Sequence, residues 1–256
     1  MWALRGLRNG VLTTRWPARP DEYAAAARGP AMVLAGPAAA AVSGDEAARL
    51  CPVGAIRQSG AVRLDQGGCI LCGRCVTARP DVFGWSAGPD NASLSRTALV
   101  VPPDETPQAL AAVTAQLRAR TRALRRSVHL RHVDAGSDGS EEWEIMALLN
   151  PVYDIHRLGL FFTASPRHAD ILLVTGSGAR GMAGPLRATY EAMPNPKVVI
   201  AVGTDAVAGG IVSPSYATGG GIGAVVPVDV WLPGSPPSPF AILSAVLLAL
   251  GRVVPR

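Results

Sequence analysis

The chain of 256 residues contains no apolar run long enough to span a bilayer. Its most apolar stretch, FAILSAVLLALG at 240–251, is shorter than the roughly 20 residues that a transmembrane helix needs, and it predicts a buried helix. The opening residues MWALRGLRNG also lack the apolar core of a secretory signal peptide. We therefore expect a cytoplasmic protein, in which any contact with the cytoplasmic face of a membrane is peripheral or made through partner proteins.

Several functional classes are excluded by what is missing. The net charge of +5 is modest, and arginines concentrate in residues 118–132, but no nucleic-acid motif or aromatic-interleaved basic face accompanies them. We interpret that run as a basic helix end that faces a partner or solvent. No Ser-His-Asp or Cys-His arrangement occurs, which argues against stand-alone hydrolytic chemistry.

Cysteine is scarce, with only four residues, all in the first part of the chain. In a reducing compartment, clustered thiols bind metals more often than they form disulfides. CILCGRCVTARP at 69–80 has the ferredoxin spacing C-x₂-C-x₂-C-x₃-C-P, except that Arg79 replaces the last cysteine. A displacement of 28 residues superimposes Cys51-Pro52 on Arg79-Pro80, which indicates a decayed internal repeat.

In two-cluster ferredoxins, the fourth cysteine of each loop binds the cluster of the other loop. The repeat therefore predicts one [4Fe–4S] cluster with the four ligands Cys51, Cys69, Cys72 and Cys75. The second cluster has lost every ligand, because its positions are Ala41, Gly44, Ala47 and Arg79. A structural zinc is the alternative, although zinc usually takes two separated C-x₂-C pairs.

The composition divides the chain into two parts. Residues 1–100 hold every cysteine and predict an α+β ferredoxin-like domain, and 101–133 predicts a linking helix with an arginine-rich end. From residue 134 to 256, apolar runs such as ADILLVTG and KVVIAVG end in glycine, as buried parallel strands do, and GPLRATYEAM between them predicts a helix. The predicted fold class is α/β with a mostly parallel sheet in the second domain.

Residues 150–176, NPVYDIHRLGLFFTASPRHADILLVTG, carry a resemblance to a known family. From about His132 to Arg252 the chain resembles the small iron–sulfur subunit of complex I, the NADH-quinone oxidoreductase, and of formate hydrogenlyase-like group 4 membrane-bound [NiFe] hydrogenases. The first part, including LRNGVLTTRWP, resembles the ferredoxin-like subunit of the same complexes. The resemblance implies a flavodoxin-like second domain that docks on a large subunit of a membrane complex.

The family holds a terminal [4Fe–4S] cluster beside its quinone pocket or nickel–iron site, with cysteines in the motifs D-A-G-S-C-N-G-C-E, G-D-C-A and P-G-C-P-P. The matching positions here are Asp138, Glu141, Asp205 and Ser235. Hard oxygen ligands do not replace a set of thiolates, so we expect the terminal cluster to be absent. The three carboxylates and the hydroxyl could instead hold Mg²⁺, Ca²⁺ or Mn²⁺, or they could line a solvated, vestigial pocket.

The leading hypothesis is an electron-transfer subunit of such an oxidoreductase, not a stand-alone enzyme, that retains one [4Fe–4S] cluster. The alternative is a non-redox structural or regulatory subunit, in which the cluster serves only stability or sensing.

Overall fold

The computed structural model describes residues 2–103, 105–124 and 126–253. The first part of the chain forms two small antiparallel sheets with short helices around them. One sheet pairs β1 with β4, and the other has the order β2-β3-β5. The elements are α1 (Trp2–Asn9), α2 (Glu22–Ala26), β1 (Arg28–Val33), α3 (Pro37–Ala40), α4 (Gly44–Leu50), β2 (Ile56–Ser59), β3 (Ala61–Asp65), α5 (Arg74–Ala78), β4 (Phe83–Ala87) and β5 (Val100–Val101).

These two sheets share one small hydrophobic core. In β3, alternate residues face inward, so Val62 and Leu64 are buried while their neighbours are not. Phe83, at the start of β4, packs into the same cluster. Two of the cysteines, Cys69 and Cys75, are also members of this cluster, so the candidate metal ligands are part of the core itself.

A helix joins the two parts. The linking helix predicted within 101–133 occupies α6 (Pro107–Thr121), which begins with the side chain of Thr106 accepting a hydrogen bond from the Ala109 N–H and with proline in its first turn. A strand, β6 (Val128–Asp134), follows within the same range. The end of the arginine-rich run is therefore a sheet strand rather than a helix end.

The second part is a five-stranded sheet with helices. Its order is β10-β9-β8-β6-β7, and every neighbouring pair is parallel. Counted from β6, this is the order 2-1-3-4-5 of flavodoxin-like folds, and it confirms the predicted α/β class with a parallel sheet. Besides β6, the elements are α7 (Ser140–Ala147), β7 (Leu160–Phe162), β8 (Ile171–Thr175), α8 (Arg180–Ala192), β9 (Val198–Val202), α9 (Gly203–Ala208), β10 (Val230–Leu232) and α10 (Pro239–Ala249).

The most apolar stretch forms α10, and every residue of this helix is buried, as predicted. It packs against α6, α7, β9 and β10. Its one hydroxyl side chain, Ser244, donates a hydrogen bond of 2.7 Å to Asp90 of the first part, so a buried polar group is satisfied. Among the helices of the described residues, none combines the length and the apolarity needed to cross a membrane.

The central strand β8 should carry much of the stability of the second part. Leu173 is fully buried in it, and its truncation in Leu173→Ala leaves a cavity in the middle of the sheet. We expect the free energy of unfolding to fall by about 2–5 kcal/mol in chemical denaturation. Val113→Ala on the exposed side of α6 is the control and should change it by less than about 0.5 kcal/mol. Equal effects of the two substitutions would contradict the predicted core.

Candidate functional site

The four cysteines lie in one region of the first part, and all four are free thiols. Cys69 and Cys75 are buried, Cys51 is half-buried and Cys72 is exposed. Local structure places them as the sequence motif requires. Cys51 ends α4, the loop between β3 and α5 carries two of the others, and Cys75 lies in α5.

The cysteines are close enough to influence one another electrostatically. The pKa of the Cys75 thiol is raised to about 11, first by burial and then by the charge of the neighbouring Cys69. Burial also raises the pKa of the Cys69 thiol, with smaller contributions from Cys51 and Cys72. Four mutually repelling thiolates need a cation to be stable together, and a cationic metal core reverses this pKa penalty by binding the deprotonated form.

Backbone N–H groups point at three of the sulfur atoms. The Ala55 N–H donates to the Cys51 Sγ at 3.2 Å. The N–H groups of Ala31 and Leu71 donate to the Cys69 sulfur and lower its pKa, and the Val76 N–H does so for Cys75. Leu71 adopts a left-handed conformation with φ of 57°, which is uncommon for a residue other than glycine.

This donor set fits an iron–sulfur cluster. It consists of soft thiolate ligands, and N–H donors to the sulfurs are the groups that tune the potential of such clusters. Within the described residues, no three Cys, His, Asp or Glu side chains lie close enough together to hold one metal ion. A [4Fe–4S] cluster does not require that convergence, because each cysteine binds a different iron atom.

Two of the positions predicted for the second, lost cluster lie at or near the ends of helices. The Cys51 N–H bonds to the Ala47 carbonyl at the end of α4, and the Arg79 N–H bonds to the Cys75 carbonyl at the end of α5. Both helices therefore end on an N–H bonded to the carbonyl four residues earlier, as α-helices generally do. Ala47 is buried, whereas the other two lost-ligand positions, Ala41 and Gly44, are exposed.

An ion pair now joins the helices beside the lost-cluster positions. The guanidinium of Arg79 donates to the Glu46 carboxylate of α4 at 2.6 Å and to Asp81 at 2.9 and 2.8 Å. Because Glu46 neighbours Ala47, Arg79 joins the end of α5 to α4 across this region. Such solvent-exposed pairs contribute little to stability.

All four former terminal-cluster positions follow the carboxyl ends of strands in the parallel sheet. Asp138 and Glu141 come after β6, Asp205 lies in α9 after β9, and the half-buried Ser235 comes after β10. In this topology, the neighbouring strands β6 and β8 are the point where the strand order reverses, which is where α/β sheets place their binding crevices. The fold therefore places all four positions beyond the carboxyl edge of the parallel sheet.

Three of the carboxyl groups lie near enough to influence one another electrostatically, but within the described residues they are not close enough to hold one metal ion. Glu141 is 1% exposed. Its pKa is raised to about 7, first by burial and then by the charges of Asp205 and Asp138. Burial also raises the pKa of Asp205, whereas hydrogen bonds from Ser140 lower the pKa of Asp138. A Cβ on Gly203 would lie 2.5 Å from Glu141 Oε1, so only glycine permits this approach of the carboxyl to α9.

Sequence reasoning missed two residues of this region. Glu142 lies beside Asp205 and also contacts Thr175 and His132, the latter at 3.5 Å. Thr204 donates a buried hydrogen bond of 2.9 Å to the carbonyl of Cys69, which places the cysteine loop against the former cluster pocket. Glu142 could have been found from the sequence, because it is a charged residue directly after Glu141. No local pattern indicates a contact across 135 residues.

Known proteins resemble this chain over about half of its length. Residues 139–249, from α7 to the end of α10, match the family described as NADH ubiquinone oxidoreductase, 20 kDa subunit. Over 128 residues, the chain is 42% identical to formate hydrogenlyase subunit 7 of Escherichia coli (strain K12), and the match covers 50% of this chain and 50% of that protein. The chain therefore spans half the length of that relative.

A second relative is covered more completely. The chain is 43% identical over 128 residues to the probable membrane-bound hydrogenase subunit mbhJ of Pyrococcus furiosus, and the match covers 50% of this chain and 77% of that protein. Among solved structures, a chain of the membrane-bound sulfane sulfur reductase, an archaeal respiratory membrane complex, is 29% identical with a TM-score of 0.45. That match covers 51% of this chain and 75% of the other.

The buried carboxyl of Glu141 predicts a pH dependence of stability. Its folded pKa of about 7 lies above the ordinary value of 4.5, so the folded chain binds this proton more tightly than the unfolded chain does. The stabilisation is therefore complete below pH 4.5 and is lost as the pH rises to about 7, a change on the order of 3 kcal/mol.

Glu141→Gln should remove this decline when the free energy of unfolding is measured across that pH range. Glu191→Gln on an exposed position of α8 is the matched control and should retain it. A Glu141→Gln variant whose stability falls with pH as steeply as the wild type would show that Glu141 does not titrate in this range.

Proposed function

Because the chain belongs to the family of the NADH ubiquinone oxidoreductase 20 kDa subunit, we propose that it is an iron–sulfur electron-transfer subunit of a complex I-like or group 4 hydrogenase-like membrane oxidoreductase. It acts as one subunit of that complex and not as a stand-alone enzyme. It holds one [4Fe–4S] cluster on Cys51, Cys69, Cys72 and Cys75 in a ferredoxin-like domain, and it has no terminal cluster.

The observation that carries this proposal is the clustering of the only four thiols of the chain. Cys69 and Cys75 are each within electrostatic range of the other three cysteines, and three of the four sulfurs accept backbone hydrogen bonds. Thiols that bind no metal do not need to lie close together with backbone N–H groups directed at their sulfur atoms. The cluster would supply one-electron chemistry when it is bound, and the chain supplies its ligands, its N–H donors and its burial.

The loss of the terminal ligands changes the proposed electron route. In place of cysteines, the pocket contains Asp138, Glu141 and Asp205, which do not form the soft ligand set that iron–sulfur chemistry requires. Electrons therefore leave this chain from the ferredoxin-like cluster. The second part serves mainly as a docking platform for a large subunit.

An exposed apolar stripe supports the docking role. On α7 and just after it, Trp143, Met146 and Leu149 are 78%, 60% and 42% exposed. Their spacing of three residues places them along one side of the helix, and Glu141 lies in the same helix facing the pocket. Apolar surface of this kind, next to a charged pocket, is typical of a protein–protein interface.

A second candidate is a structural or regulatory subunit whose cluster only stabilises the fold. The burial of Cys69 and Cys75 in the core of the first part favours it, because a cluster there crosslinks α4, α5 and the loop after β3. Reduction of the anaerobic protein separates the two. Reversible bleaching with a cubane EPR signal supports electron transfer, and a cluster that falls apart on reduction supports the structural role.

The cluster assignment is tested by metal content. The anaerobically purified wild type should contain about four iron atoms per chain and no stoichiometric zinc. Cys72→Ala should abolish iron binding without a packing cost, because Cys72 is the one exposed ligand. Asp138→Asn, at a former-ligand position of the other pocket, is the control and should retain full iron. Zinc in place of iron, or full iron in Cys72→Ala, would refute the assignment.

The docking stripe is tested by the introduction of charge. Trp143→Glu and Met146→Glu should each weaken binding to the large subunit that copurifies with the wild type, by about tenfold or more, because they place a charge in an apolar contact. Tyr216→Glu changes a side chain that is 86% exposed elsewhere, and it should bind as the wild type does. If Tyr216→Glu alone disrupts the complex, the interface lies elsewhere.

A further inference from the structure

One buried hydrogen bond fastens the cysteine loop to the former terminal-cluster pocket. The hydroxyl of Thr204, which is fully buried in α9, donates to the carbonyl of Cys69 at 2.9 Å. The two residues are 135 positions apart in the chain. A buried carbonyl without a donor is costly, so this contact is a requirement of the loop conformation and not a chance encounter.

The direction of this hydroxyl is fixed by its other partners. Its oxygen accepts a hydrogen bond from the Gly234 N–H at 3.3 Å, which leaves the hydroxyl proton for Cys69. The Thr204 N–H in turn donates to the Gly234 carbonyl at 2.7 Å. Thr204 precedes Asp205 and Gly234 precedes Ser235, so two former ligand positions now flank the donor that supports the remaining cysteine loop.

Close packing holds the same loop in place. A Cβ on Gly67 would lie 2.8 Å from a methyl carbon of Val207 in α9 and 2.7 Å from the guanidinium of Arg96. That guanidinium makes a bidentate ion pair with Asp65, at 2.8 and 2.7 Å, just before the loop begins. The loop can lie this close to α9 because residue 67 is glycine. The ion pair between Arg96 and Asp65 holds the chain just before the loop.

We propose that Thr204 is a positioning residue for the cluster, and that its hydroxyl fixes the Cys69 peptide against α9 and raises the midpoint reduction potential. The proposal rests on the [4Fe–4S] assignment above. The positive end of the O–H dipole points at the peptide of a ligand, where it stabilises the more negative, reduced cluster. Thr204, in the second part of the chain, thereby affects the reduction potential of the cluster in the first part.

The test is an EPR-monitored redox titration of the full chain with its cluster bound. Thr204→Val has nearly the same shape and removes only the donor, so we expect a shift of the midpoint potential to more negative values and changed g values. Thr204→Ser keeps the hydroxyl and should restore both. Thr121→Val is the matched control, because Thr121 is also buried and also donates to a carbonyl, that of Leu117 in α6, away from the cysteines.

The outcomes separate this inference from the cluster assignment. A wild type without an iron–sulfur signal overturns the assignment, and the inference with it. A wild type with the signal, but with the same potential and g values in Thr204→Val, overturns the inference alone. So does a Thr121→Val variant that shifts the potential as much as Thr204→Val. Loss of the cluster in Thr204→Val, with Thr204→Ser and Thr121→Val intact, supports the positioning role.

Discussion

The hydroxyl of Thr204 donates a buried hydrogen bond to the carbonyl of Cys69 at the contact between the two parts of the chain, and this bond joins the cysteine loop to α9. Either group left buried and unpaired would cost about 1–3 kcal/mol. The backbone of Ser93 pairs with that of Trp231 in β10 near the same contact, at 2.9 and 2.8 Å, and so covers an edge of the parallel sheet. The first part and the sheet are thus joined beside the former cluster pocket.

The positions that the sequence assigns to two lost clusters have different electrostatic environments. At the first, Arg79 forms an ion pair with Glu46, so opposite charges compensate one another. At the second, the carboxyl groups repel one another, and the pKa of the buried Glu141 rises to about 7, so the pocket reduces its charge by taking up a proton. Neither arrangement provides the soft ligand set of an iron–sulfur cluster, whereas the four cysteines do.

Features set by local patterns could be predicted from the sequence, and features set by distant contacts could not. The apolar runs of β8, β9 and α10 indicated buried elements, and the 28-residue repeat grouped the cysteines. The sequence did not predict strand β6, because VHLRHVD contains histidine and arginine. It is a central strand only because it pairs with both β7 and β8. The contact of Thr204 with Cys69 has no local signal, because it arises from how the two parts pack.

The proposed function depends on one [4Fe–4S] cluster held by the four cysteines, next to their contact with α9. The most direct measurement is a crystal structure of the anaerobically purified chain with iron located by anomalous scattering. We expect one four-iron peak ligated by Cys51, Cys69, Cys72 and Cys75, with the Cys69 carbonyl bonded to Thr204 and no iron among the carboxylates. Iron at Asp205 and Glu141, or a single zinc on the cysteines, would contradict it.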